Sequence, residues 1–370
     1  MNRHGKHSYV ALGLMSGTSL DGIDAALLET DGDQVLELGP YLTYSYPTYF
    51  RQELAEEVRR AGISGRPTDN RDLVRSLTEF HIEAVFELLG QVPKSSKWEK
   101  PDILGFHGHT TLHRPQSGIT QQIGDAQLLA NRSQLKVISN FRKNDVEMGG
   151  EGAPLVPIYH AAMCKNEVHP TAVINIGGIS NLTWIDENIS DLIAFDTGPG
   201  NCLLDMWVEE RIGAFFDKDG ELACAGMPDS NILEDALNDP FFMRVGPKSL
   251  DRMDFDLASF ARLSTENGAA TLVEFTVRSI LLGIGQCPAL PNAVYVSGGG
   301  RHNKAIMKRL SEECMYPIHP VESLGWDGDA VEAQAFAYLA VRSLRQLPIT
   351  FPGTTGANSS LLGGDLSIPI

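Results

Sequence analysis

Apolar and polar positions fall in blocks whose period changes along the chain. Residues 9–12 form a short apolar run, small residues follow at Gly13, Ser16, Gly17, Thr18 and Ser19, and a second apolar run starts at Ile23 after Leu20, Asp21 and Gly22. Two β-prone runs around Gly, Ser and Asp predict a strand, a tight turn and a returning strand. The period then lengthens: Leu54 and Val58 lie four apart, and Leu73, Leu77, Phe80, Ala84, Val85 and Leu88 recur at helical spacing. These patterns predict helices over 50–60 and 73–89, separated by a Gly/Pro/Asp-rich loop. Ile103 to Phe106 is predicted as a strand opening into a polar loop, 107–115, and Asp125 as the cap of the helix that follows. Another strand from Val137 runs into a charged, Gly-rich connection holding Arg142, Asp145 and Glu151.

The second half repeats the opening design. Residues 172–185 again read strand, Gly/Ser turn, strand, and an offset of 161 lays Ser16 to Ser19 over Gly177 to Ser180. Ile193 to Phe195 is a short strand that hands over to Asp196, Thr197, Gly198, Pro199, Gly200 and Asn201, with Asn201 as N-cap of a helix over 202–213. Residues 292–297 predict a strand, Gly298 to Gly300 a turn, and 302–310 a helix. Asp329 and Glu332 have the spacing of a capping box before a long apolar helix, although Glu332 also suits a place facing a cleft. The tail, 352–364, is expected to return over the body.

Composition narrows the class. A length of 370 residues predicts two domains, roughly 150–200 residues each. A net charge of −17 disfavours nucleic acid and anionic membrane surfaces as partners, but not a nucleotide held by backbone amides and a metal ion. Five scattered cysteines without a C-x-x-C fit reduced thiols in a cytoplasmic protein. The apolar run that ends at Met15 is too short for a signal-peptide core or a membrane span.

The chemistry gathers at the turns. Gly17 and Gly22 open the backbone, and Ser16, Thr18 and Ser19 add hydroxyls, a combination that suits phosphate oxygens as well as an ordinary hairpin. Asp196, placed at a strand tip before a glycine turn, is either a turn carboxylate bonded to nearby N–H groups or a group that deprotonates a small nucleophile. His107, His109 and His113 lack an acidic or cysteine partner in their run, so sugar contacts fit better than a transition metal. The chain has neither G-x-G-x-x-G nor G-x-x-x-x-G-K-[ST], which disfavours a dinucleotide fold and a Walker-type ATPase.

The stretches GLMSGTSLDGID, GFHGHT, QIGD, GGEGAPLVP, NIGGISNL, FDTGPGN, DKDG, VSGGGRHN and DAVEAQAFA together resemble the anhydro-N-acetylmuramic acid kinase family, from about residue 10 to 364. His109 and Glu151 stand where that family commonly has Gln. The resemblance implies an α/β chain of two actin-like (ribonuclease H-like) domains with an interdomain nucleotide cleft. We place the domains at 1–140, completed by the tail 350–370, and 141–349. It further implies an ATP- and Mg²⁺-dependent kinase that opens 1,6-anhydro-N-acetylmuramic acid to N-acetylmuramic acid 6-phosphate, acting as a homodimer in cell-wall recycling. Asp196 would be the general base. ATP would be held by Ser16, Gly17, Thr18, Ser19, Leu20, Asp21, Gly22, Ile23, Gly177, Gly178, Gly298, Gly299, Gly300 and Asn303. The sugar would meet His107, His109, Thr110, Asn181 and Glu332, and Asp21 is the candidate metal ligand.

Overall fold

The computed structural model describes residues 7–17, 20–250 and 254–370. Its contacts divide the chain into two compact units, Met1–Met163 with Ala330–Ile370, and Cys164–Asp329.

In the first unit, the predicted opening hairpin forms as β1 (Tyr9–Ser16) and β2 (Gly22–Thr30), paired antiparallel. β3 (Val35–Ser45) completes a meander on β2. On the other side of β1 come β4 (Ile103–Arg114) and then β6 (Lys136–Ser139), both parallel, with β5 (Ile119–Ile123) folded antiparallel onto β4. The tail strand Asp365–Ser367 closes the far edge against β6. One face is covered by the helices Thr48–Ser64 and Arg71–Gln91, whose Phe50, Leu54, Leu73, Leu77 and Val85 share a core with Leu12, Leu14 and Leu104. Asn70 caps the second of these helices by accepting from Leu73 N–H at 3.1 Å, and Asp125 caps Ala126–Ser133 through Leu128 N–H.

The other face is built on two glycines. Gly13 and Gly105 sit opposite each other in the β1–β4 register. A Cβ on Gly13 would lie 1.8 Å from the Ala333 carbonyl oxygen, and one on Gly105 2.1 Å from that of Phe336. The helix Val331–Leu344 therefore rests directly on strand backbone. By contacts, residues 141–163 and 330–349 group with the first unit, where the sequence reading placed them in the second domain. The expected capping box is also replaced. Ala330 occupies the N-cap with no side-chain bond, and Asp329 pairs with Arg301.

The second unit has the same path. β7 (Thr171–Ile176), β8 (Ile179–Ile185) and β9 (Ile193–Pro199) form the meander, with β10 (Val294–Ser297) and β11 (Ile318–Pro320) parallel beyond β7. A meander extended on the side of its first strand by parallel strands is the ribonuclease H-like arrangement of actin-like domains, and both sheets follow it. The helix Thr265–Gly285 is long and apolar enough to cross a membrane, yet 78% of that window is buried in the protein. It packs with Trp207, Phe195 and Phe260 in the core. Among the described residues the cysteines form no disulfide.

Two strands run further than their sequences suggested. β4 continues through the expected polar loop to Arg114, because His109 and Thr110 pair with Ile123 and Gln122 of β5. β9 continues through Asp196 to Pro199, so Asp196 lies within a strand, opposite Asn181, at an irregularity in the ladder.

Candidate active-site elements

In the first unit, the β1–β2 turn directs its residues in two ways. Ser16 is 1% exposed, and its hydroxyl lies 2.8 Å from the Tyr46 hydroxyl and 2.9 Å from His109 Nδ1. It ties the turn to the body and is not presented to solvent. Leu20 adopts φ +60° and its N–H donates to the Gly17 carbonyl, closing the turn. Asp21 is exposed, while Gly17 and Leu20 are half-buried. Gly22 is required by packing, since a Cβ there would meet the Tyr44 carbonyl oxygen at 2.3 Å. Ile23 is a core residue. Thr18 and Ser19 lie outside the described residues.

The expected sugar-binding residues of this unit are more buried than a loop would make them. His109 is 1% exposed, and burial, with His81 adding to it, pushes its imidazole down to about 4. His107 is 4% exposed and accepts from Arg142 Nε at 3.1 Å through Nε2. Its Nδ1 must therefore carry the proton, donated to the Gly108 carbonyl at 2.9 Å. Burial and then the Arg142 charge hold His107 neutral, well below the usual range. Thr110 accepts from Gln122 Nε2. Burial raises the Glu332 carboxyl and Arg142 opposes the shift. Arg142 thus serves both His107 and Glu332, a role its position in a charged, Gly-rich stretch did not reveal. Asp145 is a clamp for that stretch, accepting from Gly152 N–H and the Thr355 hydroxyl.

In the second unit, glycine turns stack backbone on backbone. Gly200 N–H donates to the Gly178 carbonyl and Asn201 N–H to that of Gly177. The Asn201 side chain donates to the Ile176 carbonyl and makes no cap bond to its own helix, Cys202–Ile212. A Cβ on Gly200, Gly298 or Gly300 would come within 2.3 Å of Gly177 O, Asn175 Oδ1 or Ile176 Cγ2 respectively. Gly299 is different. It is exposed, and a Cβ there would meet nothing nearer than 3.9 Å. Its missing side chain serves no internal packing. Asn303 caps the helix Lys304–Glu313 by accepting from Ala305 and Ile306 N–H, so that helix starts later than expected and this carbonyl is committed to it.

Asp196 is half-buried beside these turns. Its N–H donates to the Lys248 carbonyl at 2.9 Å, and its Oδ2 accepts from Leu250 N–H at 2.8 Å. The segment around Lys248 carries no recognisable motif, and only the folded chain brings it to Asp196. Arg301, 8% exposed, pairs with Glu322 and Asp329 and donates to the Gly298 carbonyl, bracing the second glycine turn. Among the described residues no three His, Cys, Asp or Glu side chains are grouped to hold a metal.

A family model described as anhydro-N-acetylmuramic acid kinase matches residues 9–367. A protein of that name from Rhodospirillum rubrum is 48% identical over 359 residues, 96% of this chain and 93% of that protein. Another from Zymomonas mobilis is 42% identical, covering 96% of this chain and 98% of the relative. Among solved structures, gluconate kinase from Lactobacillus acidophilus aligns with 98% of this chain and 94% of its own at 10% identity and a TM-score of 0.45.

Proposed function

The chain belongs to the anhydro-N-acetylmuramic acid kinase family, and from that membership we propose that it converts 1,6-anhydro-N-acetylmuramic acid and ATP to N-acetylmuramic acid 6-phosphate in peptidoglycan recycling. The observation that carries the reading is the match over residues 9–367. Its physical content is the oriented carboxylate of Asp196 on a strand edged by glycine turns.

The substrate's chemistry defines what the residues must do. A 1,6-anhydro sugar has no free O6 and no free anomeric hydroxyl. Water must attack C1, the C1–O6 bond must break, and the freed O6 must take the γ-phosphoryl group as ADP leaves. Asp196 accepts the proton of the attacking water, and the Leu250 N–H on one carboxylate oxygen sets the orientation of the group. In the first unit, the backbone of Gly17 to Asp21 is assigned to phosphate oxygens. In the second, Gly177, Gly178 and Gly299 are assigned to the nucleotide. Ser16, Gly22, Ile23 and Asn303 support these turns from within. In the first unit His107, Thr110 and Glu332 are assigned to the sugar, with Arg142 acting on the charge of His107 and Glu332; in the second, Asn181 is assigned to it.

Mg²⁺ takes one or two carboxylates together with substrate phosphates and keeps several waters. One exposed carboxylate at the phosphate turn, Asp21, fits that need without a protein cage. When bound, the ion neutralises phosphate charge. A homodimer and a cytoplasmic location complete the reading.

The test is the path of oxygen. Reaction in ¹⁸O-water, quenched before the reducing end exchanges, places the label on C1 and none in the phosphate, with inversion at C1. Label in the phosphate, or retention, points instead to separate hydrolysis and phosphorylation or to a covalent glycosyl intermediate. Rapid phosphorylation of a sugar with a free hydroxyl, and none of the anhydro sugar, makes the protein an ordinary hydroxyl kinase.

A further inference from the structure

Lys248 is a lysine held inside the second unit, 2% exposed. Its ammonium donates to the carbonyls of Phe241 at 3.1 Å and Arg244 at 2.8 Å and to Gln286 Oε1 at 3.3 Å. The rings of Phe241 and Phe195 lie 4.4 and 5.6 Å from the same nitrogen. Three neutral acceptors and two π faces offset the desolvation of the charge. The ammonium thereby joins the short helix Pro240–Met243, strand β9 through Phe195, and the end of the helix Thr265–Gly285 through Gln286.

The backbone of the same segment grips Asp196 from both sides. The Lys248 carbonyl accepts the Asp196 N–H, and Leu250 N–H donates to the Asp196 carboxylate. Gly246 presses on the same strand one residue earlier, where an added Cβ would come 2.5 Å from the Phe195 ring.

We propose that Lys248 is the positioning residue for Asp196: its ammonium anchors segment 246–250, and that segment's backbone holds the carboxylate in the orientation that activates water. The proposal rests on Asp196 being the base. The Lys248 ammonium is directed at protein acceptors, the Phe241 and Arg244 carbonyls and Gln286 Oε1, so its action on Asp196 runs through the backbone. Burial pushes its ammonium down to about 8, the Arg244 charge adds to the shift, and the Asp196 charge opposes it. The acceptors supplied by the short helix and by Gln286 are neutral. A neutral amine has two N–H groups for three acceptors, so the anchor loosens as pH rises through that value.

The experiment measures kcat and KM from pH 6 to 10 for wild type, Lys248→Met, Lys248→Arg and Asp196→Asn, with folding checked by near-UV circular dichroism. In the wild type kcat falls above about pH 8. Lys248→Met lowers kcat by roughly 10- to 100-fold, as expected for a misplaced catalytic group, leaves KM for ATP within about twofold, and abolishes the alkaline limb. A Lys248→Met enzyme with wild-type kcat, or with an unmoved limb, overturns the proposal. Should Lys248→Met fail to fold, Lys248→Arg decides. Its permanent charge moves the limb upward, and an unmoved limb overturns the role. If neither variant folds, the wild-type profile decides, and a kcat flat from pH 7 to 10 is the overturning result. Asp196→Asn separates the two readings. An active Asp196→Asn removes the base assignment itself, whereas an inactive one beside a fully active Lys248→Met removes only the role of Lys248.

Discussion

Asp196→Asn keeps both backbone partners of the residue but cannot accept the proton of water. We expect kcat to fall by about 10²–10⁴ while ATP affinity, measured calorimetrically, stays within about twofold. Near-wild-type turnover would remove Asp196 from the mechanism. Gly299 makes the opposite kind of test. Because a Cβ there has open space, Gly299→Val leaves the unfolding midpoint close to wild type, yet it places a branched side chain where the nucleotide is assigned. A rise of about tenfold or more in the ATP dissociation constant, ~1.4 kcal/mol, is expected, and unchanged affinity contradicts the assignment. Gly298→Val lacks this discrimination, since φ +77° and the 2.3 Å approach to Asn175 Oδ1 make it unfold the turn whatever binds there.

The helix Val331–Leu344 shows how an element is recruited by what strands lack. Its Ala333, Ala337 and Ala340 face Gly13 and Gly105, so small residues on both sides bring backbone to backbone. Gly105→Val inserts atoms where only 2.1 Å separates an ideal Cβ from the Phe336 carbonyl oxygen. Overpacking of this kind costs about 1–3 kcal/mol and sometimes more, and the loss is read as a fall in the urea midpoint. Gly62→Ala is the control. It lies within the helix Thr48–Ser64 with nothing within 4 Å of an added Cβ, so it stabilises by about 0.5–1 kcal/mol. A Gly105→Val protein as stable as Gly62→Ala would mean that the helix does not sit on the sheet as described.

For the molecule as a whole, buried histidines make folding sensitive to acid. Burial pushes His81 and His109 down to about 4 and His160 to about 3. In the unfolded chain each titrates near ~6.5. On these histidines the native state therefore holds fewer protons between those values, and their contribution to stability is full above about pH 6.5 and declines as pH falls toward 4. His109→Gln, which retains a group able to bond the Ser16 hydroxyl, removes one such proton. The slope of stability against pH, measured by urea unfolding between pH 6.5 and 4.5, should drop by up to ~1.4 kcal/mol per unit. An identical slope in the variant would show that His109 is not buried and neutral.

Local pattern carried most of the architecture. The two Gly/Ser hairpins, the helices around Leu54 and Leu77, the start of the helix after Asn201 and the Asp125 cap depend on neighbours within a few residues, and periodicity or turn chemistry reports such features directly. Even there one detail escaped, because Asn201 spends its side chain on Ile176, a choice made across the sheet. Strand length was decided by partners. The polar stretch after Phe106 and the residues around Asp196 look like loops until β5 and β8 supply a ladder for them. That the helix Val331–Leu344 packs in the first unit rests on its contact with Gly13 and Gly105, more than 200 residues away and invisible to any local window. The candidate site divides in the same way. Asp196 and the glycine turns announce themselves by residue type, whereas Arg142 beside His107 and Lys248 beneath Asp196 are ordinary charged residues in sequence. Only burial, which strips their water and forces each donor to find an acceptor, gives them their roles.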